Sequence, residues 1–188
     1  MTDRILDQMI RLHIVDSEEA EIYRFGLEGL LLKIVHYISY LLIAILFGEV
    51  LQFLLFFAAF MVLRKSAGGY HAKTKAGCYI VSCLTVAVEV TSIKFIVAWK
   101  YAVEICLILT IVADGFILRI APLGNHNREL DETEIRYFRK RTLIFLAVEN
   151  FIIFLLFITK QTYCAIPVVL AIFCQMILLI SGKIGVIF

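Results

Sequence analysis

Cys78 and His71 stand seven residues apart in the segment Arg64 to Cys78, which reads RKSAGGYHAKTKAGC. A cysteine becomes a nucleophile when its thiolate is favoured, and a nearby imidazole can take the thiol proton and later return it. The surroundings suit that chemistry. Arg64, Lys65, Lys73 and Lys75 supply positive charge, and Thr74 is placed to cap a helix whose first turn contains Cys78, where the helix dipole favours a negative group. Gly68 and Gly69 let the backbone turn so that the His71 ring folds over the thiol. The expected roles are Cys78 as nucleophile and His71 as general base, then general acid. Backbone N–H groups at Gly77 and Cys78 are candidate donors to an oxyanion. His71 and Cys78 offer two metal ligands where a structural zinc site takes four, so neither metal nor cofactor is expected. The other cysteines, Cys83, Cys106, Cys164 and Cys174, fall in apolar runs, where a small polarizable side chain packs.

The elements that carry this segment are set by hydropathy. With 188 residues, 62% hydrophobic content and a mean hydropathy of +0.93, the chain has the composition of a polytopic membrane protein. Its apolar runs are continuous rather than alternating, which implies helices and excludes a barrel. The fold class is therefore all-α: a single membrane domain over residues 1–188, with about six transmembrane helices at 30–47, 50–63, 79–97, 98–120, 142–159 and 164–180. Residues 1–28 precede them. Ile5, Leu6, Met9 and Ile10 recur among charges at helical spacing, the pattern of an amphipathic helix lying in the membrane interface. Asp16 or Ser17 caps a second helix, and the charge density here leaves no room for a secretory signal. The second span covers only about 21 Å of a hydrocarbon core of about 30 Å, so residues 64–78 are expected to dip below the lipid surface.

Charge fixes the expected orientation. Fifteen of the 18 Lys and Arg fall on one side of the six spans, the exceptions being Lys94, Lys100 and Lys160. The positive-inside rule then places both termini, the 64–78 segment and a loop at 121–141 in the cytoplasm, where a thiol stays reduced. A net charge of only +2, with basic residues at helix ends, gives no nucleic-acid surface. Glu89, Glu104, Asp114 and Glu149 lie within spans, where ionisable side chains have a function or a partner. Glu89 sits about 16 Å along the helix from Cys78, too far to touch it. Asp114 and Glu149 are nearer the cytoplasmic side, and either orients His71, pairs with Arg64, or joins Lys94, Lys100, Arg119 or Asn150 in holding the bundle together. From these residues alone two functions remain open: a thiol active site, or a peptide carrier whose path is lined by Arg64, the lysines and Glu89. A membrane scaffold without chemistry is the third.

Arg64, Gly68, Gly69, Tyr70, His71, Ala72 and Cys78 resemble the motif of the accessory gene regulator B (AgrB) family, membrane cysteine endopeptidases that process quorum-sensing propeptides. Two further stretches are similar: Arg24 to Glu28 before the first span, and Ala121, Pro122 and Leu123 through Arg128 and Leu130 after the fourth. The resemblance implies Cys78 as nucleophile, His71 as its partner, and Arg64 and Gly69 as positions needed for processing. It implies a bacterial cell membrane, an AgrD-type propeptide as substrate, contact with membrane lipid and a homodimer. It also implies cleavage between the peptide core and its acidic tail through an acyl-enzyme thioester, which the peptide's own Cys or Ser attacks to close a thiolactone or lactone. The chain departs from the family where a basic cluster followed by Pro is usual: it has Asn125, His126, Asn127, Arg128 and Glu129, with basic residues moved to Arg136, Arg139, Lys140 and Arg141. Arg128 is the candidate for contact with the acidic tail.

Overall fold

The computed structural model describes residues 2–70, 74–124 and 130–187. Helices α1 (Thr2–Arg11), α2 (Ala20–Phe47), α3 (Val50–Ala67), α4 (Lys75–Val97), α5 (Ala102–Ile120), α6 (Glu132–Ile158) and α7 (Thr162–Ile187) follow one another, and a 3-10 turn at Ser17–Glu19 precedes α2. The chain is all-α, a polytopic helical membrane bundle. Five of the six long helices, α2, α3, α4, α6 and α7, have the length and apolar composition to cross a membrane. The remaining one, α5, has 19 residues and carries Glu104, Asp114 and Arg119.

Two compact units divide the chain, Met1–Leu42 and Ile43–Phe188. In the first, α1 is the expected amphipathic helix: it buries Leu6, and Asp3 pairs with Arg24 at 2.7 Å. Asp16 occupies the cap position before Ser17 but makes no side-chain capping bond.

The second unit is built around α7, which packs against α3, α4, α5 and α6. Ala165, Ile166, Val169, Ala171 and Ile172 are fully buried within it. A helix that is apolar on every side gains most by occupying the centre. The outer helices instead expose Leu84, Val88, Ile108, Ile111, Phe151 and Phe154, positions for lipid contact in a membrane protein. At one end of this unit, Glu49 is buried between α2 and α3; it accepts a hydrogen bond from the Tyr163 hydroxyl and lies 3.8 Å from Lys94 Nζ. Lys94 also donates to the Phe47 carbonyl at 2.6 Å. At the opposite end, the segments that follow α3 and α5 meet the carboxyl-terminal half of α7.

Two differences from the hydropathy reading bear on the site. α3 runs to Ala67 instead of stopping near residue 63, because Arg64 and Lys65 end an apolar run without opposing helix formation. Its 18 residues rise about 27 Å, so the shortness that implied a sunken segment is absent. Arg64 accordingly sits on the last turn of a helix. The second difference is the expected loop over residues 121–141, most of whose carboxyl-terminal half is helical, since α6 begins at Glu132. Asp131 accepts from Glu134 N at 2.7 Å and the Glu134 carboxylate accepts from Asp131 N at 3.4 Å. That reciprocal capping box starts the helix well before its apolar part.

Candidate active site

Residues 64–70 form a turn held from three sides. α3 ends when Gly68 takes a φ of +75° and its N–H bonds the Arg64 carbonyl at 3.2 Å; Gly69 follows at φ +126°. Both conformations belong to glycine. The Arg64 side chain then reaches over the turn that follows it: Nη1 donates to the Gly68 carbonyl at 2.6 Å and Nη2 donates to the Tyr70 carbonyl. One planar guanidinium thereby bridges two backbone acceptors, a task suited to its fixed fork of donors.

The other two walls come from distant sequence. On α7, the Gln175 amide Nε2 donates to the same Gly68 carbonyl at 2.8 Å, and the Leu178 carbonyl accepts from Tyr70 N at 2.8 Å. After α5, the cis Ala121–Pro122 bond leads into Leu123, whose N–H bonds the Ala67 carbonyl at 2.9 Å and which forms a parallel bridge with Gly68. The packing leaves no volume for side chains. A Cβ on Gly68 would overlap the Leu123 carbonyl oxygen, one on Gly69 would overlap Arg64 Nη1, and one on Gly182 of α7 would lie 2.8 Å from Tyr70 N.

Cys78 lies in the first turn of α4, as its sequence position implied. Thr74 caps that helix, its Oγ1 accepting from Gly77 N at 3.0 Å. The Thr74 carbonyl accepts from Cys78 N at 3.0 Å. The N–H groups of Gly77 and Cys78, expected as oxyanion donors, are therefore both occupied by Thr74, because an amino-terminal cap satisfies the donors that a helix start leaves over. The thiol is free and half-buried, and the Arg64 guanidinium is within electrostatic reach of it and of Cys174 on α7. His71 and Arg128, both singled out by the sequence, lie outside the described residues.

Asp114 and Glu149 form a separate cluster between α5 and α6. Asn150 Nδ2 donates to Asp114 Oδ2 at 3.0 Å and to the Leu146 carbonyl at 2.8 Å. Glu149 is buried and within electrostatic reach of Asp114, and its oxygens have no hydrogen-bond partner among the described residues. Of the alternatives open for Asp114, the bundle contact with Asn150 is made, and contact with His71 falls outside the described residues. No ion pair joins Arg64 to either carboxylate among the described residues, since its donors are used on the turn. Among the described residues there is also no group of three His, Cys, Asp or Glu able to hold a metal ion.

The span expected at 164–180 is present as α7, but its part in the site is not marked by hydropathy: it contributes Gln175, Leu178 and Gly182 to the turn. Gln175, a lone amide in a long apolar run, was the available signal, because polar side chains inside a membrane helix seek partners. Cys174 belongs to the same wall; it is buried and within electrostatic reach of Arg64 and Glu89.

Residues 2–179 match the accessory gene regulator B family. Two AgrB-like proteins of Clostridium perfringens, one from strain SM101 / Type A and one from strain 13 / Type A, are each 26% identical to the chain over 142 residues. The match covers 73% of this chain, and the chain spans 66% of the length of each relative. No solved structure matches the chain.

Proposed function

Because the chain belongs to the accessory gene regulator B family, we propose that it is a membrane cysteine endopeptidase that cleaves and cyclises a short quorum-sensing propeptide. The observation that carries this reading is the convergence at one end of the bundle. A cationic fork holds the Gly68–Tyr70 turn, and a free thiol sits in the first turn of the helix that follows it. His71, the partner that this reading gives to Cys78, follows Tyr70 directly in sequence.

The reaction begins when the Cys78 thiol passes its proton to His71 and its sulfur attacks the carbonyl joining the peptide core to its acidic tail. The carbon–nitrogen bond breaks, His71 returns the proton to the leaving amine, and the core remains on Cys78 as a thioester. The peptide's own Cys, or a Ser in its place, then attacks that carbonyl, and Cys78 departs as the ring closes. Exchange of one thioester for another conserves the activation that hydrolysis would lose, so water has to be kept out. In this reading Arg64 supports processing by holding the turn, and contact with the acidic tail falls to Arg128 or to Arg136, Arg139 and Lys140, which are exposed at the start of α6. The orientation that follows from the charge count puts the site on the cytoplasmic face of a bacterial membrane.

Co-expression with the candidate propeptide tests the proposal, with Cys78→Ser and His71→Ala compared with the parent. Loss of cleavage in both variants, at unchanged membrane abundance, is expected. Processing that survives in both would sink the assignment, and export of uncleaved peptide by the parent would favour a carrier.

A further inference from the structure

The proposed chemistry leaves the buried Gln175 side chain without a task. Gln175 is fully buried in α7, the helix at the centre of the second unit, and an amide withdrawn from water is costly unless its hydrogen bonds are replaced. Only part of that cost is recovered: Nε2 donates to the Gly68 carbonyl at 2.8 Å, while Oε1 has no partner among the described residues. A leucine or methionine would fill the same place in an apolar core without that penalty. What the amide supplies is its one bond to Gly68.

That bond completes a set. The Gly68 carbonyl accepts from Arg64 Nη1 on one wall and Gln175 Nε2 on the other, which uses both of its lone pairs. Two residues on, the Tyr70 N–H is held by the Leu178 carbonyl of α7 and the Tyr70 carbonyl by Arg64. Gly68 and Gly69 are the most permissive residues in the segment, at φ +75° and +126°. Arg64 by itself cannot immobilise them, because it lies on the same stretch of chain and follows the turn when it moves. Gln175 is anchored in a different helix and gives the turn a fixed reference.

We propose that Gln175 is a positioning residue, one that acts through the Gly68 carbonyl to fix the Gly68–Tyr70 turn against α7. The inference rests on the reading of Cys78 and His71 as nucleophile and base. An error of about 1 Å in such a pair costs on the order of a hundredfold in rate, so a large share of activity depends on a side chain that touches no substrate.

The test uses the full chain in membrane vesicles with synthetic propeptide, with rates expressed per mole of membrane-embedded protein. Gln175→Met keeps the shape and removes the donor. Gln175→Glu keeps shape and polarity, removes the donor, and sets a carboxylate near the Arg64 guanidinium. Both are expected to lower kcat by about tenfold to a hundredfold with KM within about twofold. Because Arg64 and Gln175 act on one carbonyl, adding Arg64→Lys to Gln175→Met should lower kcat by much less than Arg64→Lys does in the parent. A kcat within about threefold of the parent in either single variant overturns the proposal, as do fully multiplicative effects in the double variant. Failure of both variants to accumulate in the membrane also overturns it, in favour of a role in folding. If Cys78→Ser still cleaves, it is the endopeptidase reading that has failed; if Cys78→Ser is inactive while Gln175→Met keeps parental kcat, only the role of Gln175 is lost.

Discussion

The guanidinium of Arg64 occupies the volume that a side chain on Gly69 would need. The two residues are thereby coupled: the arginine can bridge the Gly68 and Tyr70 carbonyls only because nothing projects from the residue between them. Gly69→Ala is therefore expected to displace Arg64 and to strain a backbone held at φ +126°, at a cost of about 1–3 kcal/mol for the backbone alone. Propeptide cleavage should fall by at least about tenfold, which 2 kcal/mol of misplacement more than covers. Gly115→Ala, where a Cβ meets nothing within 4 Å, is the control and should retain parental cleavage.

Arg64→Lys keeps the charge and discards the fork. A lysine ammonium on its flexible stem does not hold two carbonyls in one fixed geometry, so the variant should lose most cleavage although the local charge near Cys78 is unchanged. Alkylation of Cys78 by iodoacetamide in membranes separates the two contributions: its rate should stay within about threefold of the parent while kcat falls by at least about tenfold. Parental kcat would show that the charge alone suffices.

Thr74 holds the start of α4 through Gly77 N and Cys78 N. Thr74→Ala should destabilise that helix start by about 1 kcal/mol and speed iodoacetamide labelling of Cys78, as fraying exposes a half-buried thiol. Thr74→Ser retains the capping oxygen and should label at the parental rate. Equal labelling in all three proteins would remove the cap from the mechanism.

Asp114 and Glu149 were candidates for work at the active site, and the structure places Asp114 in a contact between α5 and α6 through Asn150. Asn150→Leu removes the donor of a half-buried carboxylate and should lower thermal stability by about 1–3 kcal/mol. Glu149→Gln replaces a buried acid that has no hydrogen-bond partner among the described residues with a neutral amide of the same shape, and should leave both stability and cleavage at or above the parental level. Thermal unfolding in detergent, followed by tryptophan fluorescence from Trp99, reads the first effect, and the cleavage assay reads the second. A tenfold loss of cleavage in Glu149→Gln at parental stability would return that carboxylate to the catalytic machinery.

How far the site could be read from sequence depended on the range of the interactions involved. The Thr74 cap and the position of Cys78 in the first turn of α4 were legible because a cap acts over three or four residues. The capping box of Asp131 and Glu134 is equally local, but hydropathy marks only the span from 142 and gives no weight to the helical turns that precede it from Glu132. The end of α3 was misplaced for the same reason: Arg64 and Lys65 are polar, and polarity was read as the end of a helix that continues to Ala67.

The all-α class, the membrane-spanning lengths and the segment that carries Cys78 follow from the sequence alone, since burial of backbone in lipid forces helices and a basic, glycine-bearing segment between apolar runs stands out by composition. The partners of Arg64 were decided by tertiary structure. A guanidinium finds a carboxylate or a backbone carbonyl equally acceptable as an acceptor, and carbonyls occur at every residue, so no pattern of residue types marks which will be used. The same holds for α7. Its apolar sequence suits a lipid-facing span and a central helix alike, and only packing against α3, α4, α5 and α6 brings Gln175 and Leu178 to the turn beneath Tyr70.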